Sequence, residues 1–252
     1  MRSAPTIFPS VKRVYAGNGV LAACTSDEWD RIRPRLELVE IAAGSIVHEP
    51  GVPLTKIYFP LTGLISQMNI MEDGACGETA VVGNEGVEGV AWFMGGEPRS
   101  SWWSVAQGSV TALRLPARAA KEEFLRGGAF QRQVLKYIRA LMMQMGQVVV
   151  CNRHHTVKQR LCRWLLLSHD RIASDQLAMT QEGMANMLGV RREGVTCAAR
   201  ALQEAGLIRY TRGHITVLDR EGLEESACEC YHVISQEYRG LSGSCKSFGK
   251  YS

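Results

Sequence analysis

Residues 180–217 read TQEGMANMLGVRREGVTCAARALQEAGLIRYTRGHITV, the most informative run in the chain. Thr180 can cap a short helix, Gln181 to Leu188, whose Met184, Met187 and Leu188 face inward. Gly189 supplies a turn, because glycine tolerates the left-handed backbone that a tight reversal between helices needs. Val190 anchors that turn. A second helix, about Arg191 to Ala205, carries Val195, Ala198, Ala199 and Leu202 on one side. These small residues let two helices approach closely. Its other side presents Arg192, Glu193, Thr196, Cys197, Arg200 and Gln203. Gly206 ends it, and two strands, Leu207 to Tyr210 and His214 to Leu218, fold around Thr211-Arg212-Gly213.

A capped helix, a glycine turn, a polar helix face and a basic-tipped hairpin make a winged helix-turn-helix. An arginine can bond guanine O6 and N7 together, and a glutamate can accept from cytosine N4. Arg192 and Glu193 are therefore read as base contacts, with Arg200 on the same face and Thr196 at a thymine methyl or a phosphate. Arg209, Arg212 and His214 face the phosphate backbone.

Working outward, Val134, Ile138, Leu141, Met145 and Val148 recur at alternating steps of four and three, and Asn152 takes the next slot. This is the seam of a long helix pairing with a second copy, where a buried Asn152 would fix register, or else of a single amphipathic helix packed on its own β domain; Met142 and Val149 beside the seam would let it serve both surfaces. From Arg126 to His169 every charged residue is basic, among them Arg139, Arg153, Lys158, Arg160 and Arg163. Two placements follow: Arg139 toward an anionic ligand, or Arg153, Lys158 and Arg160 flanking DNA.

Before Pro116, β-rich runs (Leu38 to Ile41, Ile57 to Phe59, Leu64 to Ile70, Ala80 to Val82, Val110 to Leu115) alternate with turns at Gly44, Gly51, Gly63, Gly74 and Gly108. That texture predicts an antiparallel roll. Thr25 or Ser26 opens a short helix, and Pro34 closes it. Leu161, Trp164, Leu165 and Leu167 begin a second, separate core, and one last helix runs from about Asp219 to Tyr238.

The order of these parts resembles the Crp/Fnr family of bacterial regulators. Thr180-Gln181-Glu182, Leu188-Gly189-Val190-Arg191-Arg192-Glu193 and Ala205-Gly206-Leu207-Ile208 carry the likeness, together with the early glycine turns and Tyr58-Phe59-Pro60. The resemblance implies an α+β chain: a jelly-roll-like, cyclic-nucleotide-binding-like sensor at 1–125, a dimerisation helix at 126–156, a winged helix-turn-helix at 157–240 and a disordered tail at 241–252. It implies a homodimer on double-stranded DNA, with RNA polymerase as the protein partner. It also places Thr180, Gln181 and Arg191 at the DNA. The family's third base-reading arginine falls where this chain has Cys197, so the operator sequence does not carry over.

Relatives that bind cyclic AMP hold its phosphate with a helix opening Gly-Glu, followed by Arg-Ser or Arg-Thr. Here the parts are Gly83-Asn84-Glu85-Gly86 and a more distant Arg99-Ser100, with Trp92 to Gly96 inserted between. Glu85, Arg99, Ser100 and Arg139 are the candidate effector residues, for a small anionic ligand or none. Cyclic mono- or dinucleotide control and redox control through Cys197 are the alternatives.

The eight cysteines are scattered through a chain long enough to need no covalent staples, so free thiols are expected. Cys24 stands alone where iron–sulfur sensors cluster theirs. On one continuous helix Cys228 and Cys230 would point about 200° apart, a poor geometry for one ion, so no metal is expected. His154-His155 is read as a hinge or a phosphate neighbour. No nucleophile elbow, paired carboxylates or phosphate-binding loop suggests an enzyme. No signal peptide or apolar run near ~18 residues is read, so the expected location is the cytoplasm.

Overall fold

The computed structural model describes residues 17–95, 99–172 and 174–241. Residues 1–16 and the expected tail after Leu241 lie outside the described residues. Asn18 caps α1 (Gly19–Ala22), accepting from the Val20 and Leu21 amides. Its own amide donates to the Pro60 and Gly86 carbonyls at 2.9 and 2.8 Å, pinning the entry segment to the roll. Thr25 and Glu28 open α2 (Ser26–Ile32) with a reciprocal capping box.

The roll comprises β1 (Glu37–Ile41), β2 (Ile46–His48), β3 (Lys56–Ile70), β4 (Cys76–Val82) and β5 (Trp103–Pro116). They pair antiparallel in the order β1-β5-β3-β4, with β2 also on β5. Two expected turns, Gly63 and Gly108, lie inside long strands instead. Both have positive φ, 77° and 73°, and the β3–β5 register slips around Gly63. A Cβ on Gly63 would sit 2.5 Å from the Ser109 carbonyl oxygen. Bulges at these points bend the strands and curl the sheet, so Ile57–Phe59 and Leu64–Ile70 form one strand.

After α3 (Ala117–Leu125), α4 (Ala129–His154) runs 26 residues. It is long and apolar enough to cross a membrane by length and composition, contrary to the expectation from sequence. It nevertheless buries Phe130, Val134, Tyr137, Ile138, Leu141 and Val148 within the chain, against the roll and the C-terminal helix. The expected dimer seam is thus mostly occupied from inside. Val134, Ile138, Leu141 and Val148 are buried, Met145 is half-buried and Asn152 is exposed. The apolar residues facing outward lie one position on, at Leu135, Met142 and Val149, with Val150 beside the last. Both sides of α4 carry apolar residues, and periodicity alone cannot say which side the subunit's own core takes.

The C-terminal elements are α5 (Val157–His169), β6 (Gln176–Ala178), α6 (Gln181–Leu188), α7 (Arg192–Glu204), β7 (Ile208–Thr211), β8 (His214–Val217), α8 (Arg220–Ser226) and α9 (Cys230–Arg239). The small sheet has the order β6-β8-β7. The last helix expected from sequence is two, broken between Ser226 and Cys230. The expected separate core is not separate: Leu161, Trp164 and Leu165 belong to one cluster with Ile57, Phe59 and Val82 of the roll. The two halves meet where α6 packs on β4, with Cys76 Sγ 3.8 Å from the Asn186 carbonyl oxygen.

Candidate nucleic-acid interface

Thr180 accepts from the Gly183 amide at 3.0 Å and starts α6. Gly189 adopts φ 60°, ψ 45° and stops it, its amide directed to the Ala185 and Asn186 carbonyls. Val195, Ala198, Ala199 and Leu202 of α7 are buried in the main core, and α7 packs on α5 and α6. This burial fixes the opposite face. Arg191, Arg192, Glu193, Cys197 and Arg200 are exposed there, with Thr196 half-buried. Thr196 Oγ1 lies 3.1 Å from Gln181 Oε1 and 2.9 Å from the Arg192 carbonyl oxygen, linking the two helices. Gln203 accepts from the Tyr210 amide at 2.9 Å, so it holds the hairpin rather than facing out freely.

The start of α7 is built against its own stability. Its N-cap is Arg191, which makes no side-chain cap bond, and Arg192 follows in the first turn. A helix N-terminus carries partial positive charge and favours Ser, Asp or an anion. Two cations placed there cost stability, offset in part by Glu193, and leave a strongly electropositive tip with free backbone amides. The hairpin supplies a second such point. Arg212 has φ 41°, the one positive φ at a non-glycine residue among the described residues, and Gly213 follows at φ 85°. That pair gives a tight primed turn. It holds Arg212 and His214 exposed at the wing's tip, with Thr180 also exposed and packed near Gly213.

The flanking basic run divides. Lys158 and Arg153 are exposed, whereas Arg160 and Arg163 are buried. Arg160 donates to the Leu188 carbonyl at the end of α6, so it braces the motif and is not presented to a phosphate.

The four candidate effector residues go to three different places. Buried Glu85 accepts from the Gly83 amide and from Arg171 Nε, at 3.2 and 2.8 Å. Arg99 donates to the Gly51 carbonyl at 2.5 Å, and Ser100 donates to the Trp102 carbonyl at 2.6 Å. Arg139 pairs with Glu237 of α9 at 2.7 Å and turns away from the roll. Neither of two surface cavities is lined by any of them. One, about 340 Å³, lies among Arg31, Arg35, Glu122 and Arg126; the other, about 250 Å³, lies beside His48, Lys56 and Tyr58.

Sequence reasoning missed two polar assemblies. Inside the roll, Glu88 is fully buried and accepts from Gln67 at 2.8 Å and Ser104 at 2.7 Å, with His48 Nδ1 at 3.1 Å. Burial pushes its carboxyl pKa up, but these hydrogen bonds, His48 first, outweigh that and hold it below the ordinary value. Arg171, just after α5, pairs with Glu85 of the roll while its guanidinium lies 4.6 Å over the Tyr238 ring of α9. Burial works against its charge, yet Glu85 and Tyr238 raise its pKa above the usual arginine value. One side chain thus joins the roll, α5 and α9. No short-range signal marks it, since its partners lie 86 and 67 positions away in sequence.

The helix-turn-helix, its adjoining hairpin and the rolled β domain make a winged-helix unit joined to an antiparallel β roll. Residues 159–226 match the Crp-like helix-turn-helix domain. The global nitrogen regulator of Synechococcus elongatus is 22% identical over 75% of this chain and 89% of its own length. A regulator of the Crp/Fnr family from Eubacterium rectale superposes with a TM-score of 0.64 at 18% identity, covering 82% of this chain and 96% of that one. FixK2 from Bradyrhizobium japonicum does so at 0.65 and 15% identity, over 77% and 98%. The chain thus has the fold of these solved Crp/Fnr regulators and carries a Crp-like helix-turn-helix domain at 159–226.

Proposed function

We propose that the chain binds a near-palindromic operator as a homodimer and reads it through the face of α7 that carries Arg192, Glu193 and Arg200. The observation behind this reading is the pair of arginines at the start of α7, where a helix on its own terms prefers acids or caps. Thr180, Gln181 and Arg191 would take phosphates beside the recognition helix, with Arg212 and His214 at the wing. Leu135, Met142, Gly146 and Val149 recur at steps of seven, four and three on the outward side of α4, and all four are exposed. A second copy of α4 packed along that stripe would set two recognition helices about one DNA turn, ~34 Å, apart. RNA polymerase is the protein partner expected of a regulator acting this way.

Selection of duplexes from a random pool tests the reading. Enrichment of a two-fold symmetric sequence supports it; no enrichment over the starting pool counts against it. A small anionic effector, a cyclic mono- or dinucleotide included, is tested by calorimetric titration of such a panel, and absence of heat with every member rejects that class. Redox control has one supporting observation: Cys197 is an exposed free thiol on the reading face of α7. Reversible loss of DNA binding on mild oxidation, persisting in Cys197→Ser, would refute that route.

A further inference from the structure

The end of α4 and the start of α9 bring together Cys151, His155, Cys228 and Cys230, whose potential ligand atoms all lie within 4.8 Å of one another. Cys151 and Cys228 sulfurs are 3.5 Å apart, and Cys230 Sγ is 3.5 Å from His155 Nδ1. The expectation that Cys228 and Cys230 diverge rested on a continuous helix. Cys228 in fact precedes the helix, in the break between α8 and α9, so both thiols turn the same way. The three cysteines form a buried cluster of their own, apart from the main core and with no other buried apolar side chain in it. Thiols serving only as small hydrophobes would sit among apolar neighbours.

We propose that these four residues bind a single Zn2+ ion in a closed Cys3His site. Tetrahedral zinc with bonds of ~2.3 Å to sulfur places its ligand atoms roughly 3.5–4 Å apart. Ligand atoms all lying within 4.8 Å of each other therefore suit one ion. The cysteines of an iron–sulfur cluster, which surround several iron atoms, would have to stand further apart. The surroundings are those of metal ligands. His155 directs Nδ1 at the cluster, while its Nε2 lies 3.3 Å from the Glu229 carboxylate, which orients the ring. Gln147, one turn before Cys151, donates to Cys230 Sγ at 3.1 Å. Binding releases three thiol protons to solvent and leaves a ZnCys3His centre with one net negative charge.

The site bridges the junction it would control. Cys151 and His155 close α4, Thr156 caps α5, and Cys228 and Cys230 belong to the C-terminal segment of the same chain. A bound ion would fix the angle at which α5 leaves the long helix, and with it the direction in which α7 points.

Full-length protein purified under reducing conditions without chelator is the test, read by elemental analysis and by Co2+ substitution. The expected result is about one zinc per chain, retained in Cys197→Ser and Cys24→Ser and lost in Cys228→Ser and Cys230→Ser. Co2+ added to metal-stripped wild-type protein should give thiolate-to-metal charge transfer and the intense visible bands of a tetrahedral site, a readout that needs no variant to fold. Metal-free protein with no such bands would overturn the proposal. So would a visible iron–sulfur spectrum, or a Cys151–Cys228 disulfide in protein purified under those conditions.

Discussion

Replacing Arg171 by alanine removes the one guanidinium that the roll, α5 and α9 share. Arg171 and Glu85 side chains are 4% and 6% exposed, so the variant strands a carboxylate that water barely reaches. Breaking a buried pair from one side costs about 3–5 kcal/mol, because the remaining charge keeps its desolvation penalty without its partner. Loss of the guanidinium over the Tyr238 ring adds ~1 kcal/mol. The double variant Glu85→Gln, Arg171→Met removes both charges and keeps most of the volume, so it should recover the larger part of the loss. Equilibrium urea unfolding at pH 7 measures this, followed by tryptophan fluorescence. Trp164 reports from α5, and Trp92, Trp102 and Trp103 report from the roll or next to it. A loss below ~1 kcal/mol for Arg171→Ala, or a double variant as unstable as the single one, would refute the reasoning that the pair is dry and coupled.

Glu78 of β4, half-buried against α5, gives a pH signature. Burial raises its pKa from 4.5 to about 7, despite the hydrogen bond from Ser66 and the nearby Trp164, Arg163 and Arg171. The unfolded chain gives up this proton first, so the carboxyl's contribution to stability is full below about pH 4.5 and declines as pH rises to about 7. Glu78→Gln should therefore be ~1–3 kcal/mol more stable relative to wild type at pH 8 than at pH 5, measured by urea unfolding; a pH-independent difference contradicts the shift. Met142→Glu, on the outward stripe of α4, should turn a dimer into a monomer in sedimentation velocity, whereas a dimer unchanged by it would place the interface elsewhere. Lys158→Ala should flatten the dependence of log affinity for DNA on log salt by about one unit. An unchanged slope would mean that Lys158 touches no phosphate.

The helix-turn-helix was legible because its determinants are local. Thr180, Gly189, the stripe from Val195 to Leu202 and the Thr211-Arg212-Gly213 turn all act within a few residues of where they stand, and each falls where the sequence predicts. The roll was legible as a texture but not in its connections. Glycine breaks a strand pattern both at a turn and at a bulge, and only the pairing of β3 with β5 distinguishes Gly63 from Gly44. Which side of α4 the subunit itself buries was not legible for a similar reason, since both sides carry apolar residues and the roll and α9 pack on the same helix. Arg160 illustrates the limit of charge counting: its partner, the Leu188 carbonyl, is a backbone atom invisible to composition. The cysteine cluster was hidden by a helix break that no proline or glycine marks, although Cys151-x3-His155 followed by Cys228-x-Cys230 has the spacing of a ligand set.

The most direct test is the affinity of Arg192→Ala for the duplex enriched by selection, compared with wild type at one fixed salt concentration. The exposed start of α7 predicts a loss of ~1–3 kcal/mol, roughly 5- to 150-fold, with weaker discrimination at one base position in each half-site. Undiminished affinity and unchanged base preference would contradict the assignment of this helix to the DNA groove.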